Sequence, residues 1–93
     1  MPTISMFYGI IIRMYCAKGE HPPAHFHAYY GEHKACFSIE TLEITQGKLP
    51  QRQVRLIQAW AELHQESLRA DWQLAMSGEE PLRIPPQIGR AHV

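Results

Sequence analysis

The hydrophobic pattern of the chain changes its period close to Pro50. Before about residue 45, apolar side chains follow a period of two, which is typical of β-strands. From Pro50 to about Met76 they recur every three or four residues, which is typical of an amphipathic helix. This change predicts an α+β fold, in which a small antiparallel sheet is packed by one long C-terminal helix.

The first half of the chain predicts a sheet of three to four strands. Gly9 lies inside the first strand and indicates a β-bulge or a close backbone approach. Gly31 and Glu32 predict a tight hairpin turn, and residues 46–48 predict the next turn. The predicted strands cover residues 4–16, 25–30, 33–40 and, as a short fourth strand, 42–45.

A helix start signal and a helix end signal bound the predicted helix. Pro50 suits a first helical turn, and Gly78 suits the position just past a helix end. One helix over this range is long for so small a domain, so a break near residues 64–67 is the alternative. We therefore predict a single α+β domain over residues 1–84 and an extended or frayed tail over residues 85–93.

Composition narrows the class of protein. The 93 residues carry nine Lys and Arg against nine Asp and Glu, which disfavours a strongly basic nucleic-acid binder but leaves a local patch possible. Cys16 and Cys36 have no CxxC spacing, so we expect reduced thiols. We find no signal peptide and no apolar run of about 20 residues, so we predict a cytoplasmic protein with no membrane contact.

Four histidines form the candidate site: His21, His25, His27 and His64. His25 and His27 are two residues apart on a predicted strand, so their side chains share one face. His21 lies in the proline-rich loop that precedes this strand, and His64 lies on the apolar stripe of the helix. The imidazoles converge if the helix covers the face that carries His25 and His27.

Converging imidazoles suggest acid–base chemistry on a phosphate. His25 or His27 would be the general base and His64 or His21 the general acid in metal-free RNA cleavage. Three imidazoles can instead hold Zn²⁺, so the metal and cofactor stay unknown. The alternatives without a site are a hydrogen-bonded core residue for His64 and a solvated strand face for the strand pair.

Three cations cluster where the helix begins: Lys48, Arg52 and Arg55. Positive side chains oppose the helix dipole at this end, so the cluster suggests a phosphate-binding site. Simple solvated charge is the alternative.

Four segments of the chain carry a recognisable pattern: the opening strand segment over residues 1–15, the run His-Pro-Pro-Ala-His-Phe-His at 21–27, Gly-Lys-Leu-Pro at 47–50 and the helix from Trp60 to His64. Together they resemble the bacterial family called domain of unknown function 4160. The resemblance spans about residues 1–84, with departures at Ala24 and in the ending at 85–89. It implies a small cytoplasmic protein whose gene often lies beside a second short gene, as in toxin–antitoxin pairs.

Two functions follow as hypotheses. The first is a component of a toxin–antitoxin-like module that acts on RNA or a nucleotide through its histidine cluster. The second is a non-catalytic protein- or metal-binding module that pairs with a small partner protein from the adjacent gene. The sequence leaves open whether the protein is an enzyme and what its oligomeric state is.

Overall fold

The computed structural model describes residues 2–15 and 22–88, and these form an antiparallel sheet followed by two helices. Each strand pairs with the strand that follows it in the chain, in the order β1-β2-β3-β4-β5. The predicted α+β fold is confirmed, with five strands rather than three to four. The elements are β1 (Thr3–Phe7), β2 (Ile10–Arg13), β3 (His25–Tyr30), β4 (His33–Ser38), β5 (Ile44–Lys48), α1 (Gln51–Leu63) and α2 (Gln65–Met76).

The first predicted strand is a hairpin. Phe7 pairs with Ile10, and the two residues between them have positive φ, 49° at Tyr8 and 76° at Gly9. Positive φ at both central residues is what a type I′ turn requires, so Gly9 belongs to a turn and not to a bulge. The single strand over residues 4–16 was a wrong prediction, because the apolar period continues across this two-residue turn.

The fifth strand lies where a turn was predicted. Gln46 pairs with Cys36 and Lys48 pairs with Lys34, so residues 46–48 extend the sheet. Gly47 lies between them with φ of 83°. The turn-like composition of residues 46–48 was misleading, because a glycine in a strand can also allow two backbones to approach closely.

The helical half breaks at His64, as the alternative prediction has it. α1 ends at Leu63, α2 begins at Gln65, and His64 between them has φ of −114° and ψ of 24°. Its backbone N–H still donates to the carbonyl oxygens of Trp60 and Ala61, so the helical path bends without losing this bond. Within the described residues, no helix combines the length and apolarity that crossing a bilayer requires.

Both helices help to build the core, which lies on one face of the sheet. The Trp60 ring of α1 packs against Phe7 at 5.2 Å and Phe26 at 5.9 Å between ring centroids. Phe26 also stacks on Phe37 of the neighbouring strand, with centroids 5.4 Å apart. All three partners are buried, as is Ala28 further along β3. The residues that alternate with Phe26 and Ala28 therefore point away from this core.

The C-terminal tail is extended and is bound to the domain through residue 88. The Ile84 N–H donates to the carbonyl oxygen of Ile4 in β1 at 2.7 Å, and the Trp60 indole N–H donates to the carbonyl oxygen of Pro85 at 2.9 Å. Residues 85–88 thus contact the helical layer. The part of the predicted tail over residues 89–93 lies outside the described residues, and the boundary after residue 84 stays a prediction.

A buried carboxyl group on α2 also holds this tail. Asp71 is 2% exposed, and its Oδ1 accepts the Leu82 N–H at 2.9 Å. Its Oδ2 has no hydrogen-bond donor in the part of the chain that the structure describes. Burial raises the pKa of Asp71, and the bond from Leu82 only partly opposes that rise. The ionised carboxylate therefore lowers the stability of the fold.

We expect Asp71→Asn to raise the free energy of unfolding at pH 7 by about 1 kcal/mol, because it removes a buried charge and keeps an acceptor for Leu82. A raised folded-state pKa means that the wild-type stability is greatest below the unfolded-state pKa of about 3.9 and declines as pH rises through the folded-state value. The gain should therefore shrink when urea unfolding is measured toward pH 4. Asp71→Ala is the control and should destabilise at both pH values. A gain that grows on acidification would contradict the assignment.

Candidate functional site

The sheet has a second face, which we call the helix-free face. It is formed by the strand residues that alternate with the core and includes Arg13, His27, Tyr29, Lys34, Cys36, Gln46 and Lys48. None of the five strands contains Asp or Glu, so the cations of this face have no acidic neighbour within the strands.

A cavity of about 410 Å³ opens on the helix-free face. A volume of this size is within the usual range of small-molecule sites, about 300–1,000 Å³. Residues of β3, β4 and β5, brought together by the pairing register, converge on it, and Tyr15, which follows β2, joins them. Its lining residues are Tyr15, His27, Tyr29, Lys34, Ala35, Cys36, Gln46 and Gly47.

A thiol and an imidazole meet at this cavity. His27 of β3 is the cross-strand neighbour of Cys36 of β4, and Nδ1 lies 3.3 Å from Sγ. The Oε1 atom of Gln46, the next residue across the sheet, lies 3.9 Å from the same sulfur. Both cysteine and histidine are half-buried, so they can meet a ligand that enters the cavity. The pair has the geometry in which a proton can pass between sulfur and nitrogen.

Two tyrosines and an arginine form one side of the site. The hydroxyl groups of Tyr15 and Tyr29 share a hydrogen bond of 2.9 Å. This bond and burial raise the pKa of Tyr15 to about 12, so the phenol stays protonated near neutral pH. The Arg13 guanidinium carbon lies 5.2 Å from the centroid of the Tyr29 ring, within cation–π range. Within the described residues, the buried Nε of Arg13 has no hydrogen-bond acceptor.

Two lysines face each other on this surface. Lys34 and Lys48 are direct cross-strand partners in β4 and β5. Like charges placed directly opposite in an antiparallel pair destabilise it by a few tenths of a kcal/mol to about 1 kcal/mol. An anion between them would remove this repulsion, so the pair is a candidate phosphate contact.

The structure brings His25 and His27 together, with ring centroids 5.3 Å apart. The Nδ1–H of His25 donates to the carbonyl oxygen of Pro23 at 2.9 Å. On its other side, the His25 ring lies 5.0 Å from that of Trp72, which projects from α2. The two strand histidines are therefore neighbours, as their spacing predicts.

His64 does not join them in the way that we expected. Its Nε2–H donates to the carbonyl oxygen of Gln87 at 2.9 Å, and its ring lies 5.5 Å from that of Trp60. Trp60 packs on the Phe26 side of the sheet, opposite to His27. The expectation that the helix covers the face of both strand histidines is wrong for His27, because the larger apolar residues of β3 and β4 alternate with it and pack against the helical layer. His25, at the start of β3, contacts α2 through Trp72.

His21 lies outside the described residues, so its place in the cluster stays a prediction. Across residues 2–15 and 22–88, no group of three or more His, Cys, Asp or Glu side chains is arranged to hold a metal ion.

The three predicted phosphate contacts divide between two layers of the molecule. Lys48 lies at the end of β5 beside Lys34. Arg52 and Arg55 are exposed residues of α1, in the helical layer. Sequence reasoning missed Lys34 and Arg13, because their approach to the histidine strand depends on a register that alternation alone does not fix.

A comparison with protein families decides the classification. The model of the family described as Domain of unknown function (DUF4160) matches residues 9–73. The chain belongs to the DUF4160 family. The match includes the whole helix-free face from β2 to β5 and most of both helices of this DUF4160 protein. No curated protein and no solved structure matches the chain.

Proposed function

We propose that the helix-free face binds single-stranded RNA, and that the protein does so as a cytoplasmic component of a toxin–antitoxin-like module. The observation that supports this most is the pairing of Lys34 with Lys48 on a sheet whose strands contain no acidic residue. Such a patch attracts phosphate even though the formal net charge of the whole chain is zero.

The remaining groups of the face suit unpaired nucleotides. Proteins that bind single-stranded RNA stack its bases on aromatic side chains of an exposed sheet and contact its backbone with cations. Tyr15, Tyr29 and His27 supply rings at the cavity, and Arg13 adds a cation beside one of them. The bases of a duplex are already stacked on one another, so they would not be available to stack on these rings.

Within the proposal, His25 and His27 are the general base and the general acid that act on this RNA. Their rings are adjacent, and His27 lines the cavity. His64 packs beside Trp60, on the opposite side of the sheet from His27, so within the proposal the acid is also an imidazole of the strand pair. Incubating RNA with the protein in a chelator tests this part: cleavage that His27→Ala abolishes supports it, and intact RNA at high protein concentration contradicts it.

Removing the lysine pair tests the binding itself. We expect Lys34→Gln with Lys48→Gln to weaken binding of a labelled oligouridine of about 12 nucleotides roughly tenfold or more at low salt, because two phosphate contacts are lost. The slope of log affinity against log salt should also fall by about 1.4, which is about 0.7 for each lost contact to a single strand. Fluorescence anisotropy at several salt concentrations measures both quantities.

Arg52→Gln with Arg55→Gln is the matched control, since it removes the same charge from the helical layer. We expect this variant to bind as the parent does. The opposite pattern, with binding lost in the arginine variant and kept in the lysine variant, would place the RNA at the start of α1 and contradict the proposal.

A further inference from the structure

We propose that Cys36 is a nucleophilic thiol, with His27 as its proton acceptor, and that it forms mixed disulfides with small anionic disulfides that enter the cavity of the helix-free face. The sulfur lies 3.3 Å from Nδ1 of His27 and lines the cavity. Thiol reactivity requires an accessible sulfur and a group that takes or neutralises its proton, and this site provides both.

The exchange step balances without a further oxidant. The Cys36 S–H proton moves to Nδ1 of His27, and the thiolate attacks one sulfur of the incoming disulfide. A new S–S bond forms, the original S–S bond breaks, and its electron pair leaves with the second sulfur as a thiolate. That leaving thiolate takes the proton back from the imidazolium.

The charge of the surroundings selects the reagent. Lys34 lines the cavity, and Lys48 is its cross-strand partner. The strands contain no carboxylate, so their charged side chains are cations. These cations attract a disulfide that carries carboxylates, such as oxidised glutathione. A neutral disulfide gains nothing from these charges, so the two kinds of reagent report separately on the thiol and on the cations.

The test uses the full chain with Cys16→Ser, in which Cys36 is the only thiol. Its reaction is followed at pH 7 with 5,5′-dithiobis(2-nitrobenzoate), which is anionic, and with 4,4′-dithiodipyridine, which is neutral. We expect His27→Gln to slow both reactions about tenfold, because the proton acceptor is lost. His33→Gln is the matched control: this exposed residue stacks on Tyr30 at the hairpin turn, and its loss should leave both rates unchanged.

The cation effect has its own pair of variants. Lys34→Gln should slow the anionic reagent about threefold or more and leave the neutral reagent unchanged, and Arg55→Gln should affect neither. If Lys34→Gln slows the reactions of both reagents equally, or slows neither reaction, the selection of anions is overturned. A folded-state rate no higher than that of the urea-unfolded chain, or an unchanged rate in His27→Gln, overturns the activated thiol.

A second measurement serves if Cys16→Ser fails to fold. The wild-type protein is exposed briefly to oxidised glutathione, and the modified peptides are identified by mass spectrometry. We expect the peptide that contains Cys36 to be modified first. Prior modification of the Cys16 peptide would overturn the proposal.

One consequence rests on the proposed function: a glutathionyl group on Cys36 would fill the cavity and lower RNA affinity, and a reductant would restore it. The two proposals fail separately. A reactive Cys36 in a protein that does not bind oligouridine leaves the thiol proposal standing and removes the RNA, whereas RNA binding by a protein with an unreactive Cys36 does the reverse.

Discussion

Replacing Trp60 with alanine is expected to lower the free energy of unfolding by about 3–5 kcal/mol, the range for large-to-small changes of a buried tryptophan. The ring is 0% exposed and packs on Phe7 and Phe26. Its indole N–H also donates to the carbonyl oxygen of Pro85, so one side chain joins the sheet, α1 and the tail. Small domains have only about 5–15 kcal/mol of stability, so this loss brings the chain close to unfolding.

Urea unfolding followed by far-ultraviolet circular dichroism measures this change without depending on tryptophan fluorescence. Leu63→Ala is the matched control, since Leu63 lies on the same helix but is 45% exposed. We expect that control to change the stability by less than about 1 kcal/mol. A Trp60→Ala loss as small as that of the control would mean that the core is not organised around this ring.

Alanine at Gly47 is expected to destabilise the protein by about 2–4 kcal/mol and to displace β5 from the sheet. A Cβ atom there would fall on the carbonyl oxygen of Lys34 and would lie 2.9 Å from the Cα atom of Ala35. Both neighbours are backbone atoms, so no change of rotamer relieves the clash. The φ of 83° adds the penalty that L-residues have in the left-handed region.

Gly31→Ala separates these two causes. Gly31 also has positive φ, 57°, but a Cβ atom there meets nothing within 4 Å. We expect it to cost only about 1 kcal/mol, the backbone penalty alone. Amide hydrogen exchange should show protection lost in β5 for Gly47→Ala and kept for Gly31→Ala. Equal losses of stability in the two variants would indicate that the close approach of β4 and β5 is not tight.

The sequence allowed the fold class to be predicted because its strongest signals are local. The helix between Pro50 and Gly78 follows from a period of 3.6, and β3 and β4 follow from alternation around Gly31. The hairpin at Gly9 was missed, because an apolar run that continues across a two-residue turn has no polar interruption. The strand at Gly47 was missed, because a glycine that avoids a clash with Lys34 looks, in one dimension, like a turn residue.

The candidate site could be predicted only in part. The spacing of His25 and His27 predicted that their rings are neighbours, because alternation within one strand is independent of the rest of the fold. The helix was expected on their side of the sheet, and that choice depends on which face buries more apolar area. Phe26 and Phe37 decide it for the opposite face. The contact of His27 with Cys36 required the pairing register, which no local pattern encodes.

The hydrogen bond from Ile84 to Ile4 affects whether another copy of the chain can pair with the β1 edge of the sheet. An outermost strand with unused backbone groups is a template on which another chain can add, and proteins commonly protect such borders. In this protein the segment after α2 occupies part of the β1 border, while the Trp60 and Asp71 contacts keep that segment in place. Residues 82–85 therefore hinder intermolecular strand addition at the β1 border of the sheet, and β5 is left as the border where such addition can occur.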